Sequence, residues 1–168
     1  MPTLTSALAA ELRHEATTTR RLLERIPDDK LDWRPHERSM TLGRLAGHIG
    51  ELPGWGRSTV EQSQVDLAAV PEDQRGAVAE SVERLLADFD RGVAGFTAAL
   101  DGAEDSLLFE PWQLRNGEQV ILDMPRAAAL RGFIISHMIH HRGQLTVYLR
   151  LLDVPLPQTY GPTADEGW

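Results

Sequence analysis

The segment Ile135-Ser136-His137-Met138-Ile139-His140-His141-Arg142-Gly143-Gln144 places three of the chain's six histidines within five positions, inside a run that otherwise reads as a buried helix. Imidazole is the commonest protein ligand for borderline metals. Two histidines four residues apart on a helix lie one turn above each other, so His137 and His141 can grip one ion. At ~100° per residue, Leu130, Ile134, His137, His141, Gln144 and Tyr148 fall within roughly 80° of arc, whereas His140 lies about 80° from its centre. His137 and His141 therefore belong to the inward stripe. His140 belongs to its rim, as a hydrogen-bond partner or a residue near the entrance.

Two histidines leave a site short, because zinc and its neighbours take three or four protein ligands. His48 is the best third donor, since it flanks the apolar face that carries Leu45 and Leu52, and helices two and four could then aim three imidazoles at one point. His14, between Arg13 and Glu15, reads as part of a solvated face, and His36 sits in a loop. The plain alternative is that a histidine on an apolar helix face is a hydrogen-bonded core residue, which would account for His48 taken alone. For His137 and His141 together, burying two neighbouring rings without partners costs on the order of several kcal/mol, and shared coordination removes that cost.

The elements that must position these residues follow from periodicity. Leu4, Leu8, Leu12, Leu22, Leu23 and Ile26 recur at helical spacing until Pro27-Asp28-Asp29 breaks the pattern. After a loop-like stretch from Leu31 to Arg38, Ser39 or Thr41 can cap a second helix through Leu42, Leu45, Ile49 and Leu52. Pro53-Gly54 is expected to kink or end it, although Trp55 and Val60 allow an irregular continuation toward Gln64. The polar span from Asp66 to Gly76 reads as a connection. Val82, Leu85, Leu86, Phe89, Val93, Phe96 and Leu100 then mark a third helix. Leu107–Leu114 and Val120–Met124 flank Asn116-Gly117, a pair suited to a tight reversal. Pro125 suits the first turn of a fourth helix running to about Leu152 before Pro155 and Pro157. The expected fold class is all-α: an antiparallel four-helix bundle with a crossover connection and a short β-hairpin allowed between helices three and four, in a single domain spanning residues 1–168.

Composition narrows the function. With no cysteine among 168 residues, thiolate metal sites, disulfides and cysteine nucleophiles are excluded, and any metal must be held by histidine or carboxylate. A formal net charge of −8 disfavours nonspecific binding to nucleic acid or an anionic membrane. The N-terminus lacks a basic segment followed by a long apolar one, and no apolar run approaches the ~18 residues of a membrane span, so a cytoplasmic protein is expected. The chain has no His-Glu-x-x-His, no Gly-x-Ser-x-Gly elbow and no phosphate-cradling glycine loop. Only Glu11-Leu12-Arg13-His14 matches the Glu-x-x-His pairs of a di-iron bundle. Trp33, Trp55, Trp112 and Trp168 could line a pocket, though core filling is the commoner use of tryptophan.

The run His137-x-x-x-His141-Arg142-Gly143-Gln144, then Tyr148-Leu149-Arg150, then Tyr160-Gly161-Pro162, with His48 upstream, resembles the DinB-like metal-binding four-helix-bundle proteins, which are distinct from the DNA polymerase sharing that name. The family includes mycothiol-dependent maleylpyruvate isomerase and bacillithiol S-transferase, and the resemblance covers almost the whole chain. It implies one divalent transition metal held by three histidines, which map to His48, His137 and His141. Zinc or nickel would suit first, iron or manganese next, while an all-imidazole set makes magnesium and calcium poor candidates. It also implies a homodimer acting on a small-molecule substrate, with a low-molecular-weight thiol as co-substrate. The expected activity is a thiol S-transferase reaction on a small electrophile. The alternatives are a non-catalytic metal-binding stress-response protein and a metal-dependent hydrolase. Around such a centre Gln144 could hydrogen-bond the bound ligand, and His140, Arg142 or Tyr160 could orient neighbouring groups. The ordinary reading of Arg142 is ion pairing within the bundle, and of Tyr160, anchoring the tail.

Overall fold

The computed structural model describes residues 1–71 and 76–167; Trp168 lies outside them. Helix α1 spans Leu4–Leu23 and opens with a reciprocal cap, in which the Thr3 hydroxyl accepts from the Ser6 backbone N–H and the Ser6 hydroxyl accepts from that of Thr3. Asp105 adds a second cap from a distance, its carboxylate accepting from the N–H groups of Leu4 and Thr5 at 3.0 Å each. These are donors that no turn within the helix can satisfy. The helix stops at Leu23, short of Ile26, whose backbone N–H bonds in a turn to Leu23.

Helix α2 spans Leu42–Glu61, and its cap is Thr41 rather than Ser39: the Thr41 hydroxyl accepts from the Arg44 N–H. It does not end at Pro53-Gly54 but continues past them, as Trp55 and Val60 allowed. Proline removes one backbone bond from a helix interior. Here Pro53 is buried against helix α3, Val82–Asp101, at Gly92, where a Cβ would stand only 3.1 Å from the Pro53 Cβ. Packing at that crossing offsets the lost bond.

Helix α4 is built of three consecutive stretches: Arg126–Ala128, the π-helical Ala129–Ser136, and His137–Leu151. Pro125 does not occupy its first turn. It ends a strand and stands at the cap position, with extended ψ. The first residue of the helix, Arg126, is 3% exposed and is tied to the carbonyls of Leu107 and Gln62 and to the Glu110 carboxylate.

Both α1 and α2 pack on α3 and α4, and α1 and α2 lie diagonally across the bundle. Helices two and four are thus neighbours, as a shared histidine site requires. Two apolar clusters fill the interior. Leu45, Ile49, Leu52, Phe89, Met138, Leu145 and Leu149 belong to one, and Leu12, Val60, Phe96, Leu100, Leu130 and Ile134 to the other. Along α4 the changeover falls between Ile134 and Met138, at His137.

The connection between α3 and α4 forms the expected hairpin, with β2 at Pro111–Asn116 pairing antiparallel to β3 at Gln119–Pro125 around Gly117, whose φ is +61°. The strand starts later than the pattern from Leu107 suggested, because Asp105–Phe109 winds into a 3-10 turn. Strand β1, Gln64–Asp66, adds parallel to β2 and was not foreseen. Three residues are too few for a period-two pattern to show. Trp112 and Leu114 alternate inward from β2 and form a third apolar cluster with Ala129, against which Trp55, Val65 and Phe133 pack. No helix among the described residues is long and apolar enough to cross a membrane.

Candidate metal centre

His48 on α2 and His137 and His141 on α4 bring their rings together. The Nε2 atoms of His137 and His141 are 2.8 Å apart, and those of His48 and His137 3.3 Å apart. This is the one group of three metal-ligating side chains found among the described residues. Each ring turns its other nitrogen toward an oxygen. His48 Nδ1 lies 2.6 Å from Glu51 Oε1, His141 Nδ1 2.7 Å from Gln144 Oε1, and His137 Nδ1 3.2 Å from the carbonyl oxygen of Phe133. A carboxylate or carbonyl oxygen only accepts, so each Nδ1 carries the proton and each Nε2 presents a lone pair. Three lone pairs converging at hydrogen-bond distance repel one another unless a cation stands among them. The donor set therefore fits a divalent ion that favours imidazole.

The π-helical stretch helps place this arrangement. Phe133 lies inside the widened turn that ends just before His137. Its carbonyl is the one that accepts from the His137 ring.

Burial sets the charge state. Desolvation pushes His137 below the ordinary imidazole range, with the neighbouring His48 adding to the effect. Burial pushes His141 down to about 4 even though Gln144 favours its charged form. Both rings are neutral at neutral pH, the form that binds a metal. His141 is 8% exposed, whereas His48 and His137 are half-buried, so the group opens to solvent on the side of α2 and the Phe133–His137 turn.

The other residues singled out from the sequence fall elsewhere. His140 is exposed, its ring edge-on to that of His141 at 4.9 Å between centroids. Gln144 bonds the His141 ring, which places it behind a ligand candidate rather than on the open side. Arg142 is 2% exposed and engages Glu15 at 2.7 Å, the Glu15 carbonyl and Thr19 on α1. The Tyr160 hydroxyl donates to the same Glu15 oxygen that Arg142 engages, Oε2, at 2.9 Å, and the Arg142 guanidinium lies 4.9 Å from the Tyr160 ring centre. The contacts of Arg142 and Tyr160 are thus those of ion pairing and tail anchoring. Glu15, which looks solvated beside Arg13 and His14, is buried as their partner, while His14 and His36 are exposed. Glu51 was missed. The signal available was its position three residues after His48, one turn along the same helix face.

A helical bundle with three converging imidazoles on two adjacent helices defines a protein able to hold a metal ion in its interior. The sequence profile of the DinB family matches residues 1–167, and the chain belongs to that family. It is 28% identical over 152 residues to YrdA of Bacillus subtilis strain 168, a protein described as uncharacterized, covering 90% of this chain and 85% of that one. Among solved structures it is similar to a DinB-like protein of Bacillus cereus ATCC 10987, with a TM-score of 0.71 and 23% identity over 95% of this chain and 99% of the other. It is also similar to the DinB-like protein YjoA of Bacillus subtilis, with a TM-score of 0.67 and 20% identity over 95% and 99% of the two chains. These likenesses establish the fold.

Proposed function

We propose that the chain holds one divalent transition metal through His48, His137 and His141 and is a thiol S-transferase acting on a small electrophile. The observation that carries the first half is the convergence of three Nε2 atoms whose Nδ1 partners are all oxygen acceptors. The thiol chemistry rests on the resemblance to thiol-dependent members of the family.

A divalent ion held by three neutral imidazoles would keep its full charge and would supply a Lewis acid able to lower the pKa of a thiol. The three rings are oriented by Glu51, Gln144 and the Phe133 carbonyl, so their Nε2 atoms already face one another before an ion binds. Leu45, Ile49, Leu52 and Met138 fill the bundle around them and keep bulk water from the inner side. The half-buried faces of His48 and His137 leave the reactants one side of approach. There the thiol sulfur forms a bond to the electrophilic carbon, the leaving group departs with its electron pair, and the thiol proton passes to solvent.

Elemental analysis of the purified protein tests the binding half: one ion per chain is expected, lost in His48→Ala, His137→Ala and His141→Ala and kept in His140→Ala. Full metal in all three ligand variants would sink it. For the chemistry, 2-mercaptoethanol added to the cobalt-substituted protein should change its visible spectrum. An unchanged spectrum in a protein carrying its full cobalt would mean the centre does not take thiols.

A further inference from the structure

A cavity of about 280 Å³ lies along α2, lined by Glu51, Gly54, Trp55, Ser58, Val65 and Val70. We propose that it is the acceptor subsite of the three-histidine centre and that it takes a small, uncharged, largely apolar molecule with an aromatic ring. This assignment rests on the reading under Proposed function.

Three relationships tie the cavity to the histidines. Glu51 is shared: it lines the cavity and its Oε1 accepts from His48. Trp55 stands seven residues after His48, on the same face of α2 two turns along. Trp55 and Phe133 pack against the same apolar cluster, and the Phe133 ring lies 5.8 Å from that of His137. The cavity thus lies beside the Glu51 that backs His48, along the same face of α2.

Its lining selects the ligand. Trp55, Val65 and Val70 present apolar surface and Ser58 a single hydroxyl. Glu51 is the one charged side chain lining it, and its carboxylate is already engaged with His48 Nδ1. Among the lining side chains an anionic ligand meets only the like charge of Glu51, while an uncharged aromatic one can stack on the indole. Gly54 is part of the lining, and a Cβ built there meets nothing within 4 Å, so a larger side chain fits at this position without displacing a neighbour.

The test uses N-phenyl-1-naphthylamine, an uncharged fluorescent aromatic probe, and its sulfonate, 8-anilinonaphthalene-1-sulfonate, which adds one negative charge to the same rings. The uncharged probe should bind once per chain, and the sulfonate at least about tenfold more weakly, a difference of ~1.4 kcal/mol. Gly54→Leu should weaken the uncharged probe by at least about tenfold by filling the cavity, whereas Gly54→Ala should stay within about twofold. Equal binding of the two probes, or binding unmoved by Gly54→Leu in a protein whose circular dichroism is native, would overturn the assignment. Metal content measured on the same samples separates the two readings. Probe bound to a protein that holds no metal even when zinc is supplied would refute the metal centre and with it the subsite's role as acceptor site, whereas full metal without probe binding would refute the subsite alone.

Discussion

Glu51 Oε1 sits 2.6 Å from His48 Nδ1, one helical turn further along α2, and this contact gives the lone histidine of that helix the same kind of backing that Gln144 gives His141 on α4. Oxygen partners of this kind fix the tautomer and the angle of a ligating ring. Removing one should weaken metal binding without abolishing it. Glu51→Ala and Gln144→Ala are each expected to lose about 10–100-fold in zinc affinity, and Glu51→Gln, which keeps an acceptor oxygen, less than Glu51→Ala. Competition with a chromophoric chelator measures this. Affinities unchanged in both alanine variants would show that these contacts do not serve the centre.

The pair Arg142–Glu15 is fully enclosed, at 2% and 7% side-chain exposure. Breaking such a pair strands a charge in the interior. Arg142→Met should therefore cost roughly 3–5 kcal/mol, and the double variant Arg142→Met with Glu15→Met distinctly less than the sum of its parts. Urea denaturation of the four proteins gives the comparison, and an additive double variant would contradict it.

Tyr160 carries a pH signature. Its ring is largely exposed, yet its hydroxyl reaches into the bundle, and desolvation together with the hydrogen bond to Glu15 raises its pKa above the ordinary phenol value of 10.0. The folded protein holds this proton where the unfolded chain would release it. The contribution to stability is thus complete below the unfolded pKa and disappears as pH rises through the folded one. Ultraviolet titration of a Tyr148→Phe protein isolates the Tyr160 phenolate, since the chain has two tyrosines. Its midpoint should lie above that of the urea-unfolded protein, and Glu15→Gln should lower it.

Much of this arrangement was legible in the sequence, and the unread parts have definite causes. The helical stripe through Ile134, His137 and His141 was readable because a buried face repeats with the helix. His48 could be nominated because Leu45 and Leu52 mark the same face. Glu15 was misread because a carboxylate directly after Arg13-His14 looks like surface; only the partner on α4, 127 residues away, explains its burial. The π-helical turn left no local mark, and Pro53 left the end of α2 open because the residue that packs against it, Gly92, is on another helix.

Two glycines of α2 give an opposed pair of outcomes. At Gly56 a Cβ would stand 2.4 Å from the Phe96 ring, so Gly56→Ala should destabilise by about 1–3 kcal/mol. At Gly54 nothing is near, and alanine should stabilise by up to about 1 kcal/mol through helix propensity alone. Chemical denaturation decides both signs.

The turn from His140 to Gln144 assigns neighbouring residues to different masters: His140 to solvent, His141 to the centre, Arg142 to α1, Gly143 to open space, and Gln144 to the His141 ring. Substitution there can be local, but a change of length cannot. Deleting one residue before His141 would swing Arg142 into the ring of donors and carry its charge away from Glu15 in the same step. A library of single substitutions and single-residue deletions across this turn should accordingly split into two populations, with replacements at His140 and Gly143 accepted and every deletion rejected for folding and metal content together.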